Sequence, residues 1–481
     1  MRRSALNRKA ALIRTVVFII FILAISHDAC AVEATSSSAT YYVSPTGDNS
    51  NPGSRDKPWA TPGHASRQLK PGDTLIILGG TYILNRYDDD VITPSSGDAN
   101  SWITIRGEQG KRPVLAGKDN LLTAVDLSGA SYVRLENLEI THDVKSRGEK
   151  AYFRDGLEIL EKSADHLILK DLHIHHIDEF GLNIQNVHDL QVVDCRLEYC
   201  GSGGMGGPAG AAGGWRNVVV KNCRLSHNGH YFQGGDGSNR PYDRPDGFGI
   251  EESRGPIEIV GTAAEHNFGD GLDSKAAHTT IRNCIVANNS CDGVKLWGDR
   301  SKVENTLIYG TGDGESGDSP WAGLVIHTYQ QANASFEIIN VTVHDNPARH
   351  AYPMYVQYDS SVPLILTMKN CIIANGQGLV HIGDSVKFTA ENNIFYRSGE
   401  DVQIYANKRE YAAGQLKDLG RGNLSKDPLF VSPAWGREGD YHLKNASPAI
   451  DAGTKAGAPA TDLEGKARPQ GKSVDIGVYE R

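Results

Sequence analysis

The chain has 481 residues, 49 Lys and Arg against 58 Asp and Glu, and a formal net charge of −9. That balance excludes a general nucleic-acid binder, which needs a basic face to neutralise phosphates. The 53 glycines and the lack of helical periodicity argue for a chain of short strands and tight turns.

In chain order, residues 1–31 read as a secretory signal. Arg2, Arg3, Arg8, Lys9 and Arg14 precede an apolar run from Val16 to Ile25, and Ala29-Cys30-Ala31 offers a small-x-small cleavage site. The run is too short to span a bilayer comfortably. Cleavage would deepen the net charge from −9 to −13, and the mature chain is expected to be secreted or periplasmic. Residues 32–40 form a small, polar linker. Tyr41 opens a segment, through Lys70-Pro71-Gly72-Asp73-Thr74, that reads as the capped start of a long domain spanning 41–425. A tail, 426–481, is expected to pack on or close that domain.

Between them runs a repeated phrase: a short apolar strand, Asn-Cys or a variant, then Ile, Val or Leu. It appears at Asp194-Cys195, Asn222-Cys223, Asn283-Cys284 and Asn370-Cys371, with weaker copies at Asn137, Asp171, Asn305, Asn340 and Asn392. The tightest spacings are 22 residues, Asn283 to Asn305 and Asn370 to Asn392. A fixed period of this size, with strand-like rather than helical patterning, predicts an all-β parallel β-helix of about ten or more rungs. The recurring Cys slot predicts a buried ladder of small side chains, with stacked pairs close enough to oxidise. Longer insertions at 201–217, 229–247 and 310–321 are expected as loops walling a groove.

Each rung also carries a Gly-apolar-X phrase. Strand alternation turns the apolar residue inward and X outward, which predicts a surface column of Glu158, Asn183, Glu251, Asp273 and Lys295. Asp246, Asp270 and Asp292 precede such phrases at the turn into the strand. Carboxylates stacked this closely repel unless a cation is shared, and Ca²⁺ is the hard cation that oxygen ligands select outside the cytoplasm. A lysine beside such a cation has its pKa lowered, as a general base requires.

These motifs resemble polysaccharide lyase family 9, the pectate lyase-like right-handed β-helices. Asp246-Gly247-Phe248 resembles a calcium-ligand motif of that family. Asn267-Phe268-Gly269-Asp270-Gly271-Leu272-Asp273 resembles its calcium segment, with Gly269 standing where the family has an aspartate. Asp292-Gly293-Val294-Lys295-Leu296-Trp297-Gly298 resembles the segment bearing its catalytic lysine. The resemblance implies Lys295 as base, Asp246, Asp270 and Asp273 as calcium ligands with Glu251 replacing the missing one, and an acidic polysaccharide, pectate by default, cleaved by β-elimination. Lys275, Arg244, Arg254, Trp297 and His327 are candidate substrate contacts, and Lys275 is the rival base. A monomer is expected.

Plainer readings stand beside these. Asp before Gly is ordinary turn chemistry, which is the reading given to Asp292, and Lys295 could be a surface lysine paired with Asp273. Asp155 and Glu158 are too far along the stack to reach the same ion. His173, His175 and His176 read as surface or core residues rather than a zinc site. Other reactions on this fold (a uronate epimerase, a glycoside hydrolase) and a non-catalytic polysaccharide-binding solenoid remain alternatives. For an anionic substrate, a chain of this net charge must concentrate positive charge in its groove.

Overall fold

The computed structural model describes residues 38–143, 153–207, 214–233, 245–312, 321–329, 331–345, 351–357, 360–376 and 378–481. The expected signal, most of the linker, Arg244 and most of the insertions at 229–247 and 310–321 lie outside these residues. Among the described residues, no helix is long and apolar enough to cross a membrane.

Three long sheets of 13, 12 and 12 strands run the length of the molecule, and successive rungs contribute one strand to each. All pairings within them are parallel except the last hairpin, Val402–Ala406 with Arg409–Ala412. This is a parallel β-helix. The strands are short because the chain turns at fixed positions. Asn137, Asp171, Asp194, Asn222, Asn283, Asn305, Asn340, Asn370 and Asn392 all hold φ between 51° and 56°. Asn and Asp tolerate this left-handed conformation better than other non-glycine residues. The repeated Asn of the sequence is therefore the corner between the first and second sheets.

The interior is a stack of matched side chains. In the third sheet Val125, Leu157, Leu182, Met205, Phe248, Leu272, Val294, Leu324 and Met354 lie in register, each buried. Burying each such side chain stabilises by roughly 1.5–3 kcal/mol relative to exposure. Cys195, Cys223, Cys284 and Cys371 occupy the slot after the corner, buried as anticipated. They are free thiols, as are Cys200 and Cys291.

Both ends are covered. At the start, the helix Pro62–Gln68 packs Ala65 into the core beside Trp59 and Leu69. At the far end, Tyr411, Leu416 and Leu419 close the stack. The tail instead lies along the side. Phe430, Tyr441, Leu443, Ile476 and Val478 pack against Leu307, Tyr309, Ile372 and Ile394 in a second apolar cluster, and the buried pair Arg468–Glu480, 3.0 Å apart, ties its end down. One expected loop differs as well. Within 201–217, Gly203–Gly207 is a strand of the third sheet and Trp215 begins a strand of the first. Glycine-rich sequence signals a loop only where nothing packs on it; here Met205 supplies the inward anchor.

Candidate active site

The site is built on the third sheet from one repeated phrase, Asp-Gly-apolar-X. Register aligns Phe248 with Leu272 and Leu272 with Val294. The outward column is therefore Glu158, Asn183, Gly206, Gly249, Asp273, Lys295. Glu251 is not in it. Gly247-Phe248-Gly249 and Gly249-Ile250-Glu251 both satisfy a period of two, and pairing selects the first. The swap matters, because a Cβ on Gly249 would lie 2.6 Å from Asp246 Oδ2. Bare backbone at Gly249 leaves room for that carboxylate.

The aspartates before each glycine form a ladder. Asp246 Oδ1 accepts the Asp270 N–H at 2.7 Å, Asp270 Oδ1 that of Asp292 at 2.8 Å, and Asp292 Oδ1 that of Ala322 at 2.8 Å. One oxygen of each thus does the turn work that the plainer reading assigned. Asp270 and Asp292 turn their second oxygens toward Lys295. Its Nζ lies 2.5 Å from Asp270 Oδ2 and 3.5 Å from Asp292 Oδ2 and Asp273 Oδ2. Carboxylate oxygens of Asp246, Asp270 and Asp273 all lie within 4.8 Å of one another. Asp273 Oδ1 is buried with no hydrogen-bond partner.

Electrostatics follow from this crowding. Burial and the neighbouring Asp270 and Asp273 push the Asp246 carboxyl well above the usual range. Burial also raises Asp273 against the pull of Lys295, and burial with Asp270 lifts Asp292 to about 7. For Lys295, burial alone would favour the neutral amine, but Asp270, Asp273, Asp292 and Asp246 outweigh it and hold the pKa well above that of a free lysine. The carboxyl groups of Asp246, Asp270, Asp273 and Asp292 thus outnumber the two lysines, Lys295 and Lys275, that face them. When ionised, that excess would repel an anionic sugar.

A second column borders the first. Lys275 Nζ bridges Glu251 at 2.7 Å and Asp273 at 3.3 Å and sits 5.2 Å from the centre of the Trp297 ring. Glu251 is thus a half-exposed rim residue bound to Lys275, outside the aspartate cluster. Trp297, His327 and Tyr329 make an aromatic group with ring centres 4.1–5.4 Å apart. Tyr329 is 56% exposed. Arg254 is exposed in the turn leaving this strand.

Three comparisons bear on the arrangement. The family model described as "Pel9A-like, right handed beta helix region" matches residues 41–305. The chain belongs to this Pel9A-like right-handed β-helix family. The matched region contains Asp246, Asp270, Asp273, Asp292 and Lys295. Among solved structures, pectate lyase Pel9A superposes with a TM-score of 0.51 at 16% identity, covering 93% of this chain and 97% of that one. A complex of XylC with xylose gives 0.58 at 11% identity, covering 92% and 98%. At such identities these likenesses establish the fold alone. The uncharacterized protein YwoF of Bacillus subtilis (strain 168) is 27% identical over 166 residues, spanning 32% of this chain and 33% of that protein. The fold of this Pel9A-like chain is thus one that carbohydrate-active enzymes use.

Two residues of this cluster and its rim carry no functional signal in the sequence. Asp292 was assigned to the turn alone, because a turn role explains an Asp-Gly pair completely until its second oxygen is placed. Tyr329 had no signal, since it lies beyond the strand Trp321–Ile326 and outside the Gly-apolar-X phrase. Glu158 and Asp155 bond Arg154 at 2.9 Å each, apart from the cluster as expected.

Proposed function

We propose that this protein is a calcium-dependent, exported polysaccharide lyase that cleaves a uronate-containing acidic polysaccharide, pectate-like by default, by β-elimination with Lys295 as base. The observation that carries the reading is the convergence of Lys295 Nζ with Asp270 and Asp273 on adjacent rungs, next to a buried carboxylate oxygen, Asp273 Oδ1, that lacks a partner.

The donor set fits a hard divalent cation. Asp246, Asp270 and Asp273 offer oxygens alone, on the third sheet, within 4.8 Å of one another, and Lys295 and Lys275 balance their charge only in part. Three carboxylates do not complete the six to eight oxygens that Ca²⁺ takes, so sites remain for water and substrate. Bound there, Ca²⁺ would neutralise the aspartates, weaken their hold on the lysine proton and polarise a uronate carboxylate.

The chain's own residues supply the rest. Lys295 Nζ, neutral, takes the proton from C5 of the uronate; the electrons form the C4–C5 double bond, and the C4–O bond breaks. Water protonates the leaving oxygen. Lys275, fixed by Glu251 and Asp273, offers a positive contact for a neighbouring sugar carboxylate. Trp297 and Tyr329 offer faces to sugar rings.

One observation favours a second reading. Asp292 stands near 7 and Asp246 well above the usual range, and a protonated carboxyl beside ionised ones is what glycoside hydrolysis uses. The two readings differ in product. Polygalacturonate, alginate and a glycosaminoglycan, incubated with calcium or chelator, are followed by ultraviolet absorbance of the unsaturated uronate and by new reducing ends. Calcium-dependent absorbance supports the lyase; reducing ends without absorbance support hydrolysis.

A further inference from the structure

We propose that Glu139, His173 and His175 form a site for a transition-metal ion of the zinc class on the second sheet, distinct from the aspartate cluster. The strands involved are Glu139–His142, His173–His175 and Arg196–Glu198. Ile140, Ile174 and Leu197 point inward and are buried. The His-x-His pair therefore projects both imidazoles from one outer face, with Glu139 beside His173 on one flank and Glu198 beside His175 on the other.

The spacing suits one ion. Ligand atoms of the three residues all lie within 4.8 Å of one another, and His175 Nε2 is 3.3 Å from Glu139 Oε1. Two donors bound tetrahedrally at zinc distances stand about 3.3–3.6 Å apart. The two rings are stacked with centres 4.2 Å apart and tilted by 30°, so each keeps its place without the metal. Their other contacts orient them: His173 Nε2 is 3.3 Å from Glu198 Oε2, and Glu198 is held by Arg196 at 2.7 Å and Ser226 at 3.0 Å. His175 Nδ1 meets His176 Nδ1 at 2.8 Å and Thr141 Oγ1 at 3.4 Å. Such outer contacts fix ring orientation in metal sites.

Donor chemistry selects the ion. Two imidazoles and one carboxylate favour Zn²⁺, Ni²⁺, Cu²⁺ or Co²⁺ over Ca²⁺ and Mg²⁺. The residues are only partly buried, and a cavity of about 220 Å³ adjoins Glu139 and His175, with Thr141, His142, Asp143 and His176 among its other lining residues. An ion there would keep an open position for water. Because Glu139 and His173 sit on neighbouring rungs, it would also clamp them together and stabilise the folded state by mass action.

The test uses chelator-stripped, full-length protein dialysed against Zn²⁺ with Ca²⁺ in excess to occupy the aspartates. About one equivalent of zinc should bind, and the melting temperature should rise with zinc but not with further calcium. Glu139→Gln, nearly isosteric and at a partly buried position, should weaken binding by at least the roughly ten-fold that loss of an outer contact costs. The double variant His173→Gln, His175→Gln should abolish both binding and the thermal shift, while calcium-dependent action on polysaccharide is unchanged. Absence of saturable zinc binding in the wild type, or equal binding in the variants, overturns the proposal.

Discussion

Two ladders climb the same rungs of this molecule, one of amides and one of carboxylates. Asn228, Asn267 and Asn289 are buried and linked: Asn228 Nδ2 donates to Asn267 Oδ1 at 2.8 Å, Asn267 Nδ2 to Asn289 Oδ1 at 2.9 Å, and Asn289 Nδ2 to the Ala264 carbonyl at 3.0 Å. A few residues away, Asp246, Asp270 and Asp292 also stack, each capping an N–H of the next rung. An amide carries donors and acceptors, so its stack closes on itself and is neutral. A carboxylate only accepts. Its stack accumulates charge that a lysine balances in part and a divalent cation could balance fully. The amide ladder is self-satisfied; the carboxylate ladder carries the charge on which the proposed calcium site rests.

The contrast can be broken at several points. The largest effect is expected at Lys295→Ala, which should lower the rate of unsaturated-product formation by about 10²–10⁴-fold while leaving the thermal melt of calcium-loaded protein in place. Next, Asp273→Asn turns one carboxylate rung into an amide. It should raise the melting temperature in chelator, by removing a buried like charge, and raise the calcium concentration needed for half-maximal activity. A lowered melt with unchanged calcium response would mean that the ladder is structural. Asn267→Ala is the converse. It should cost about 1–3 kcal/mol by leaving buried partners unsatisfied, read by chemical denaturation, with the calcium requirement untouched.

A smaller effect concerns pH. Asp292 and Asp345 are both raised to about 7 by burial, with Asp270 adding to Asp292. A carboxyl whose folded pKa exceeds its unfolded value contributes stability that is complete below about 3.8 and lost as pH rises toward about 7. In chelator the melting temperature should therefore fall over that window. Asp345→Asn should remove its share of the fall, since Asp345 lies outside the cluster, bonded through Oδ1 to the Thr311 N–H at 2.8 Å. Smallest of all, Trp297→Ala should raise KM several-fold with kcat little changed, if it contacts sugar rings outside the reacting bond.

Much of this was legible in the chain itself. The recurring Asn marked the rung period, and the recurring Cys marked a core slot; that the Asn is a corner follows from its left-handed backbone angles in the structure. Asp270, Asp273 and Lys295 could be brought together because Asp273 and Lys295 are one minimal 22-residue step apart, with nothing inserted. Glu251 could not be placed, because three-residue strands flanked by glycine satisfy the alternation in two registers. The fate of Asp292's second oxygen depends on where the lysine side chain bends, which spacing does not encode. His173 and His175 were visible as an alternating pair and were read as surface or core residues; Glu139 was not, because 34 residues separate it from its register partner His173. The tail's seat on the second sheet rests on apolar residues that also sit at the rim of ordinary strands.

The most direct test of the account is the product formed from polygalacturonate or the best of the three polymers, with wild type and Lys295→Ala compared in excess calcium. The account predicts ultraviolet absorbance from an unsaturated uronate end with wild type and none above background with the variant. Absorbance that survives in Lys295→Ala would move the base to Lys275, and new reducing ends without absorbance would replace elimination by hydrolysis.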